Sequence, residues 1–155
     1  MIEIIAYEMK YVGNMIESSL KLNHYDDSMY DVYVQIYNEC FYEMRKKLEV
    51  RPYNFYSSPE QLTVKKDKIH CWIENNELIG SVACNGNEID DLIVNKKYRG
   101  RGYGEQLLHF AISHIQDTSD APIKLHVAKW NEKAIKLYEK NGFKCVNVEK
   151  IRRDI

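Results

Sequence analysis

Apolar positions along the chain change period several times, and each change marks an element. Ile2 to Tyr7 is a short run of Ile, Ala and Tyr that suits a first strand. Val12, Met15, Ile16 and Leu20 then recur at steps of three and four, which predicts a first helix. A longer stripe, Tyr33, Ile36, Tyr37, Cys40, Phe41, Met44 and Leu48, predicts a second helix, with Ser28 and Asp31 as its N-terminal cap and Pro52 as its stop. Ser58-Pro59-Glu60 opens one further helical turn, because proline suits the first helical position.

From Ile69 the period shortens to two. His70 to Glu74 and Glu77 to Cys84 read as strands joined by a tight turn at Asn75-Asn76, and Asn85-Gly86 leads into a third strand, Glu88 to Val94. After a glycine-rich stretch the helical period returns with Leu107, Leu108, Ala111, Ile112 and Ile115 on one face. Pro122 to Ala128 is a strand. Asn131 caps a helix carrying Ala134, Ile135, Leu137 and Tyr138, Asn141-Gly142 ends it with a left-handed turn, and Phe143 to Ile151 is a last strand. Strand, two helices, three strands, helix, strand, helix, strand is an α/β order without repeat or linker, so one domain over residues 1–155 is expected.

Composition narrows the function classes. In 155 residues, 22 Lys and Arg nearly cancel 23 Asp and Glu, and the net charge of -1 gives no general attraction to nucleic acid or to an anionic membrane. Any anion site must be local. Cys40, Cys71, Cys84 and Cys145 are too widely spaced for a Cys-x-x-Cys pair, which predicts reduced thiols and a cytoplasmic protein. No stretch approaches the roughly 18 apolar residues of a membrane span, and no leader pattern opens the chain, so a soluble, unprocessed protein is expected. The five histidines are scattered in sequence, and no metal is predicted.

Three of the seven glycines, Gly100, Gly102 and Gly104, fall where a strand ends and a helix begins. A helix N-terminus carries unpaired N–H groups and the positive end of the macrodipole, and glycines let an anion approach that backbone. Lys96, Lys97, Arg99 and Arg101 add charge beside it. The stretch lacks the Gly-Lys-Ser/Thr of a triphosphate loop and the G-x-G-x-x-G of a dinucleotide fold. A turn with solvated basic residues is the plainer alternative for the stretch taken alone.

Taken with its surroundings, the sequence resembles the GNAT family of acyl-CoA-dependent N-acyltransferases. Arg99, Gly102 and Gly104 match that family's pyrophosphate pattern, Arg/Gln-x-x-Gly-x-Gly/Ala, and "DLIVNKKY", Asp91 to Tyr98, resembles the strand leading into it. "NEKAIKLYEKNGF", Asn131 to Phe143, is similar to the family's second signature. The resemblance is close from Ile69 to Phe143 and rests on element order before that.

It implies a mixed central sheet whose fourth and fifth strands splay apart, with helices on both faces. It implies acetyl-CoA as acyl donor, its pyrophosphate held by Arg99, Gly100, Arg101, Gly102, Tyr103, Gly104 and Glu105. Its pantetheine arm would lie along Leu92, Ile93 and Val94 and touch Asn131. Tyr138 matches the family's general acid, although its place beside Ala134 and Ile135 equally suits a core residue. An acid at the position of Asp90 is the family's frequent base, although members without one use water chains, so a solvated surface aspartate is the alternative reading. Asp90 and Asp91 are neighbours on a strand, so one is expected to face the cleft and the other to face away.

Nine of the twelve tyrosines precede residue 57, where the family builds its acceptor pocket, so an aromatic pocket for a cationic or aromatic amine is one reading of them. Few residues follow Gly142, so the family's seventh strand is expected to be short or missing, leaving an edge that a second copy of the chain could complete. The expected function is acetyl transfer to a primary amine, with a small molecule favoured by the neutral charge. A protein N-acetyltransferase, a non-catalytic acyl-CoA-binding module and a nucleic-acid-binding loop are the alternatives, the last disfavoured because the basic segment lacks interleaved aromatics.

Overall fold

The computed structural model describes residues 2–153. Their strands are β1 (Ile2–Tyr11), β2 (Asn23–His24), β3 (Ile69–Glu74), β4 (Glu77–Asn85), β5 (Glu88–Val94), β6 (Lys124–Ala128) and β7 (Phe143–Arg153). The helices are α1 (Tyr30–Lys47), the single turn α2 (Glu60–Thr63), α3 (Tyr103–Thr118) and α4 (Glu132–Lys140). All seven strands join one sheet in the order β2-β3-β4-β5-β6-β1-β7, antiparallel except for β5 against β6.

Two cores flank the sheet. Leu107, Leu108, Ala111, Ile112 and Ile115 of α3 pack on Ile79, Val82, Cys84, Ile89 and Leu125, with Ala134, Leu137 and Tyr138 of α4 against the same cluster. On the opposite face Tyr33, Ile36 and Tyr37 of α1, with Tyr25, Tyr56 and Leu62, pack on Ile69, Cys71, Leu78, Ala83 and Ile93. Helices therefore cover both faces, as the resemblance implies.

Two departures from the sequence reading have physical causes. The helix predicted over Val12 to Leu20 does not form. Ile16, Leu20 and Leu22 alternate with exposed neighbours in an extended segment, Val12 and Met15 are exposed, and the backbone bonds outward, Val12 N–H to Gly142 O (2.8 Å) and Ile16 N–H to Gln116 Oε1 (2.9 Å). Spacings of four satisfy period two as well as period 3.6. Ser28 is not a capping acceptor. Asp26 instead accepts Ser28 N–H at 2.8 Å in the 3-10 turn that leads into α1.

The sheet reaches seven strands through an added β2 at its other end, and the family's own seventh strand is missing among the described residues, as expected. The two-residue β2 adds to β3, whereas β7 pairs with β1 and no strand follows it among the described residues. Val146 and Val148 lie exposed on that edge. No helix among the described residues is long and apolar enough to cross a membrane.

The split that positions the site lies between β5 and β6. Parallel pairing covers only Glu88 with Lys124 and Ile89 with Leu125, after which the strands diverge. These are the family's fourth and fifth strands, numbered one higher here because of β2.

Candidate active site

A cavity of about 490 Å³ opens where β5 and β6 part. Asp90, Asp91, Leu92 and Val94 line it from β5, His126, Val127 and Ala128 from β6, Cys40, Phe41 and Met44 from α1, and Asn131, Ala134, Leu137 and Tyr138 from the α4 segment. One end is closed by Tyr98, Arg99, Gly100, Gly102, Tyr103 and Gly104.

That end is the glycine stretch. Gly100 (φ 77) and Gly102 (φ 85) occupy the left-handed region, where a side chain costs backbone strain, and Gly102 is the N-cap of α3. The first intrahelical bond runs from Gln106 N–H to Gly102 O (3.2 Å), so the N–H groups just before it have no acceptor within the helix. Gly104 has an ordinary backbone conformation and room for a Cβ. A Cβ there would sit 3.6 Å from Val94 Cγ2 and 3.9 Å from Leu137 Cδ2, between strand and helix. The open space beside these glycines suits a phosphate held by backbone N–H groups.

The basic side chains are less free than the sequence suggests. Arg99 folds back, donating from Nε to Val94 O (3.2 Å) and from Nη2 to Cys40 Sγ (3.1 Å). Lys97 pairs with Glu77 at 2.9 Å, and Tyr98 donates to the same carboxylate. Arg101 lies over the Tyr98 ring at 5.7 Å and is not part of the cavity wall.

Glu105 also stays outside. It accepts from Asn141 Nδ2 (3.1 Å) and pairs with Lys140 (3.2 Å), tying the start of α3 to the end of α4. Ile93 turns its side chain into the core under α1. Of the residues singled out from sequence, Leu92, Val94, Arg99, Gly100, Gly102, Tyr103, Gly104, Asn131, Asp90 and Tyr138 meet at the cavity, and Ile93, Arg101 and Glu105 do not line it.

The two aspartates do not alternate as a regular strand would require. Ser81 pairs with Ile93 and Ala83 with Asp90, so two steps of β4 face three of β5. Asp91, at φ 46, is the extra residue of a bulge. The bulge also explains why Ile89 packs under α3 and Ile93, four residues on, under α1. Both carboxylates consequently line the cavity, which corrects the expectation that one faces away.

Asp90 is pushed up to about 6, first by burial and then by the nearby Glu88 and Asp91. Asp91 is also raised, by burial, against the opposing pull of Lys65 at 3.7 Å. Tyr138 is pushed up to about 12 by burial and by the charge of Asp91, so its hydroxyl keeps its proton. Asn131 caps α4 by accepting Ala134 N–H at 3.3 Å, and its side chain sits on the cavity wall.

The Val94 carbonyl receives Arg99 and Cys40, which shows that this peptide edge faces away from β4. In a strand the N–H of a residue points the same way as its C=O, so Val94 offers its N–H to the split.

Four wall residues carry no local signal in the sequence. Cys40 reaches the site from α1, 54 positions before Val94, and Phe41 and Met44 share its helix face. His126 arrives from β6 with its Nδ1 at 3.0 Å from Glu88 Oε1. The tyrosines of the first 56 residues do not build this wall. Tyr25, Tyr33, Tyr37 and Tyr56 are buried in the core beneath α1 instead. The histidines, expected to stay apart, partly gather: His70 meets His24 at 5.0 Å and His114 at 4.8 Å between ring centroids.

The profile of the acetyltransferase (GNAT) family matches residues 30–143. The chain belongs to that family. An uncharacterised N-acetyltransferase of Methanocaldococcus jannaschii is 31% identical over 87 residues, covering 49% of this chain and 38% of the relative's own length. The PaiA N-acetyltransferase of Thermoplasma acidophilum, solved in complex with coenzyme A, superposes with a TM-score of 0.61 at 17% identity, over 80% of this chain and 89% of the other. A protein of Pyrococcus horikoshii gives 0.66 at 22% identity, over 88% and 98%. At these identities the solved structures establish the GNAT fold, with its sheet split between β5 and β6.

Proposed function

We propose that this chain transfers an acetyl group from acetyl-CoA to the primary amine of a small molecule. The observation that carries the reading is the contents of one cavity. The glycine-rich N-terminus of α3 closes one end, and two raised carboxyls, Asp90 and Asp91, stand with Tyr138 on the wall. The N–H groups around Gly102 and Gly104 would hold the pyrophosphate, and Leu92, Val94 and Asn131 would flank the pantetheine arm.

The reaction needs an uncharged amine, a polarised carbonyl and a proton for the departing sulfur. Asp90 takes a proton from the acceptor ammonium. The freed nitrogen attacks the thioester carbon while Val94 N–H donates to the carbonyl oxygen. The C–S bond then breaks as Tyr138 O–H donates its proton to the thiolate, and the second proton on the attacking nitrogen passes to the Tyr138 oxygen, leaving a neutral amide and a restored phenol. Phe41 and the two aspartates favour a cationic acceptor with an apolar stem.

Release of coenzyme A thiol from acetyl-CoA across a panel of small amines, N-terminal peptides and lysine peptides tests the reading. Turnover with small amines is expected, and tight acetyl-CoA binding without turnover on any amine would leave a binding module. We also propose that a second copy completes the exposed β7 edge. Sedimentation over a range of concentrations is expected to show a dimer, and a monomer throughout would remove that proposal.

A further inference from the structure

Along the cavity wall titratable side chains lead from Asp90 towards solvent. Asp90 and Glu88 stand two apart on β5 in regular register with β4, which turns both side chains to one face of the strand, and the charge of Glu88 helps to hold the proton on Asp90. Glu88 Oε1 lies 3.0 Å from His126 Nδ1 on the neighbouring β6. The other ring nitrogen, Nε2, lies 3.6 Å from Glu8 Oε1 on β1 and 3.5 Å from Glu149 Oε1 on β7.

Sheet order and register bring these groups together, since β6, β1 and β7 are adjacent, Glu8 pairs directly with His126, and Glu149 pairs with Ala6. Exposure places the far end of the series in solvent. The side chains of Glu8, His126 and Glu149 are 26%, 35% and 38% exposed. The near end is Asp90 on the cavity wall.

We propose that Glu88 and His126 relay the acceptor's proton from Asp90 out of the cavity to Glu8, Glu149 and water. The inference rests on Asp90 as the group that receives the proton. With both substrates in the cavity, Glu88 and His126 give the proton on Asp90 an exit along the wall to the exposed carboxylates. Each transfer balances without redox change. The ammonium N–H breaks and Asp90 gains the proton; Asp90 O–H passes one to Glu88; Glu88 gives one to His126 Nδ1; and His126 releases one from Nε2. An imidazole can take a proton on one nitrogen and lose one from the other, and the position between Glu88 and two outer carboxylates gives it one entrance and two exits.

The groups facing these residues are accounted for. Asp90 is next to Glu88, Asp91 and Lys65, and His126 is next to Glu8, Glu88 and Glu149. Among the described residues no Lys or Arg forms an ion pair with Glu8, Glu88 or Glu149, so these carboxylates remain available as acceptors.

Glu88→Gln and His126→Gln test the relay, because an amide keeps a hydrogen bond but neither accepts nor releases a proton at neutral pH. Turnover with the best amine is measured near pH 7 in dilute buffer and then with rising imidazole. The parent is expected to ignore the buffer. Each variant is expected to fall by about 10-fold or more in kcat, with an unchanged KM for acetyl-CoA, and to regain rate as imidazole replaces the missing carrier. The double variant is expected to be no slower than the slower single one, since both interrupt one path.

Melting curves establish that both variants fold, and Glu88→Gln alone suffices if His126→Gln does not. Variants as fast as the parent in dilute buffer, or slowed in a way that imidazole does not reverse, overturn the relay while leaving the acetyltransferase reading intact. A parent that releases no thiol with any amine overturns both.

Discussion

At the scale of single residues, the site places groups where their ionisation costs stability. Asp90 titrates near 6 in the folded protein against an ordinary value of 3.8, so the folded state holds its proton more tightly than the unfolded chain. Its stabilising contribution is complete below about 3.8 and is lost as pH rises through about 6. Asp90→Asn is therefore expected to raise stability at pH 7.5 by about 1–2 kcal/mol and to give no gain at pH 3.5. The same change is expected to lower kcat/KM at least ~10-fold near neutrality, with the deficit shrinking at high pH as free amine accumulates. Denaturant titrations at the two pH values and a pH-rate profile check both halves. Asp91 shares the wall, so Asp91→Asn belongs in the same experiment, and a larger defect there would transfer the role to it. Tyr138→Phe keeps the ring, including its edge contact with Phe143 at 5.9 Å. It is expected to preserve acetyl-CoA affinity while slowing turnover by ~10² to 10⁴. Parental turnover in that variant would make Tyr138 a packing residue.

At the scale of elements, the junction of β5 and α3 separates two uses of glycine. Gly102 is required for its φ of 85 and faces open space, so Gly102→Ala is expected to cost roughly 1–2 kcal/mol of stability through backbone strain. At Gly104 the constraint is proximity. A Cβ fits at ordinary contact distance, but the two further methyls of Gly104→Val would add bulk to the cavity end that Gly104 lines, where the phosphate is proposed to sit. That variant is expected to keep its melting temperature within a few degrees and to bind acetyl-CoA about 10-fold or more weakly, as calorimetry would measure. Unchanged affinity in a folded variant would remove the pyrophosphate site from this loop. The glycines and their neighbours were legible because loop, cap and helix start are adjacent in sequence. The bulge at Asp91 was not, because "DDLIV" reads as a regular strand until pairing with β4 leaves one residue over.

At the scale of the molecule, burial of His70 couples folding to pH. Its ring is 5% exposed, packed against Phe110 and beside His24 and His114, and burial followed by these two neighbours lowers it to about 4. The unfolded chain, with an ordinary histidine near 6.5, binds the proton first as pH falls. Stability from this residue is thus complete above about 6.5 and is lost as pH drops through about 4. The loss is expected to reach about 2–3 kcal/mol, and His70→Phe is expected to flatten that part of the curve. Denaturation of parent and variant at pH 7 and pH 4.5 measures the difference. Equal pH dependence in the two would show that His70 titrates normally in the folded protein.

What the sequence determined by itself is what neighbouring residues enforce. The α3 stripe, the Asn75-Asn76 and Asn141-Gly142 turns, the Asn131 cap and the glycine junction all depend on contacts within one or two turns of chain, and each sits where its spacing placed it. Tertiary structure decided what depends on distant partners. The Val12 to Leu22 segment stays extended because Gly142 and Gln116 satisfy its backbone, and Arg99 leaves the rim for Val94 and Cys40. Likewise, Glu8, Glu88, His126 and Glu149 form one group only because β5, β6, β1 and β7 lie side by side. Periodicity records which face a residue turns to its own element, and it carries no record of which strand will lie beside it.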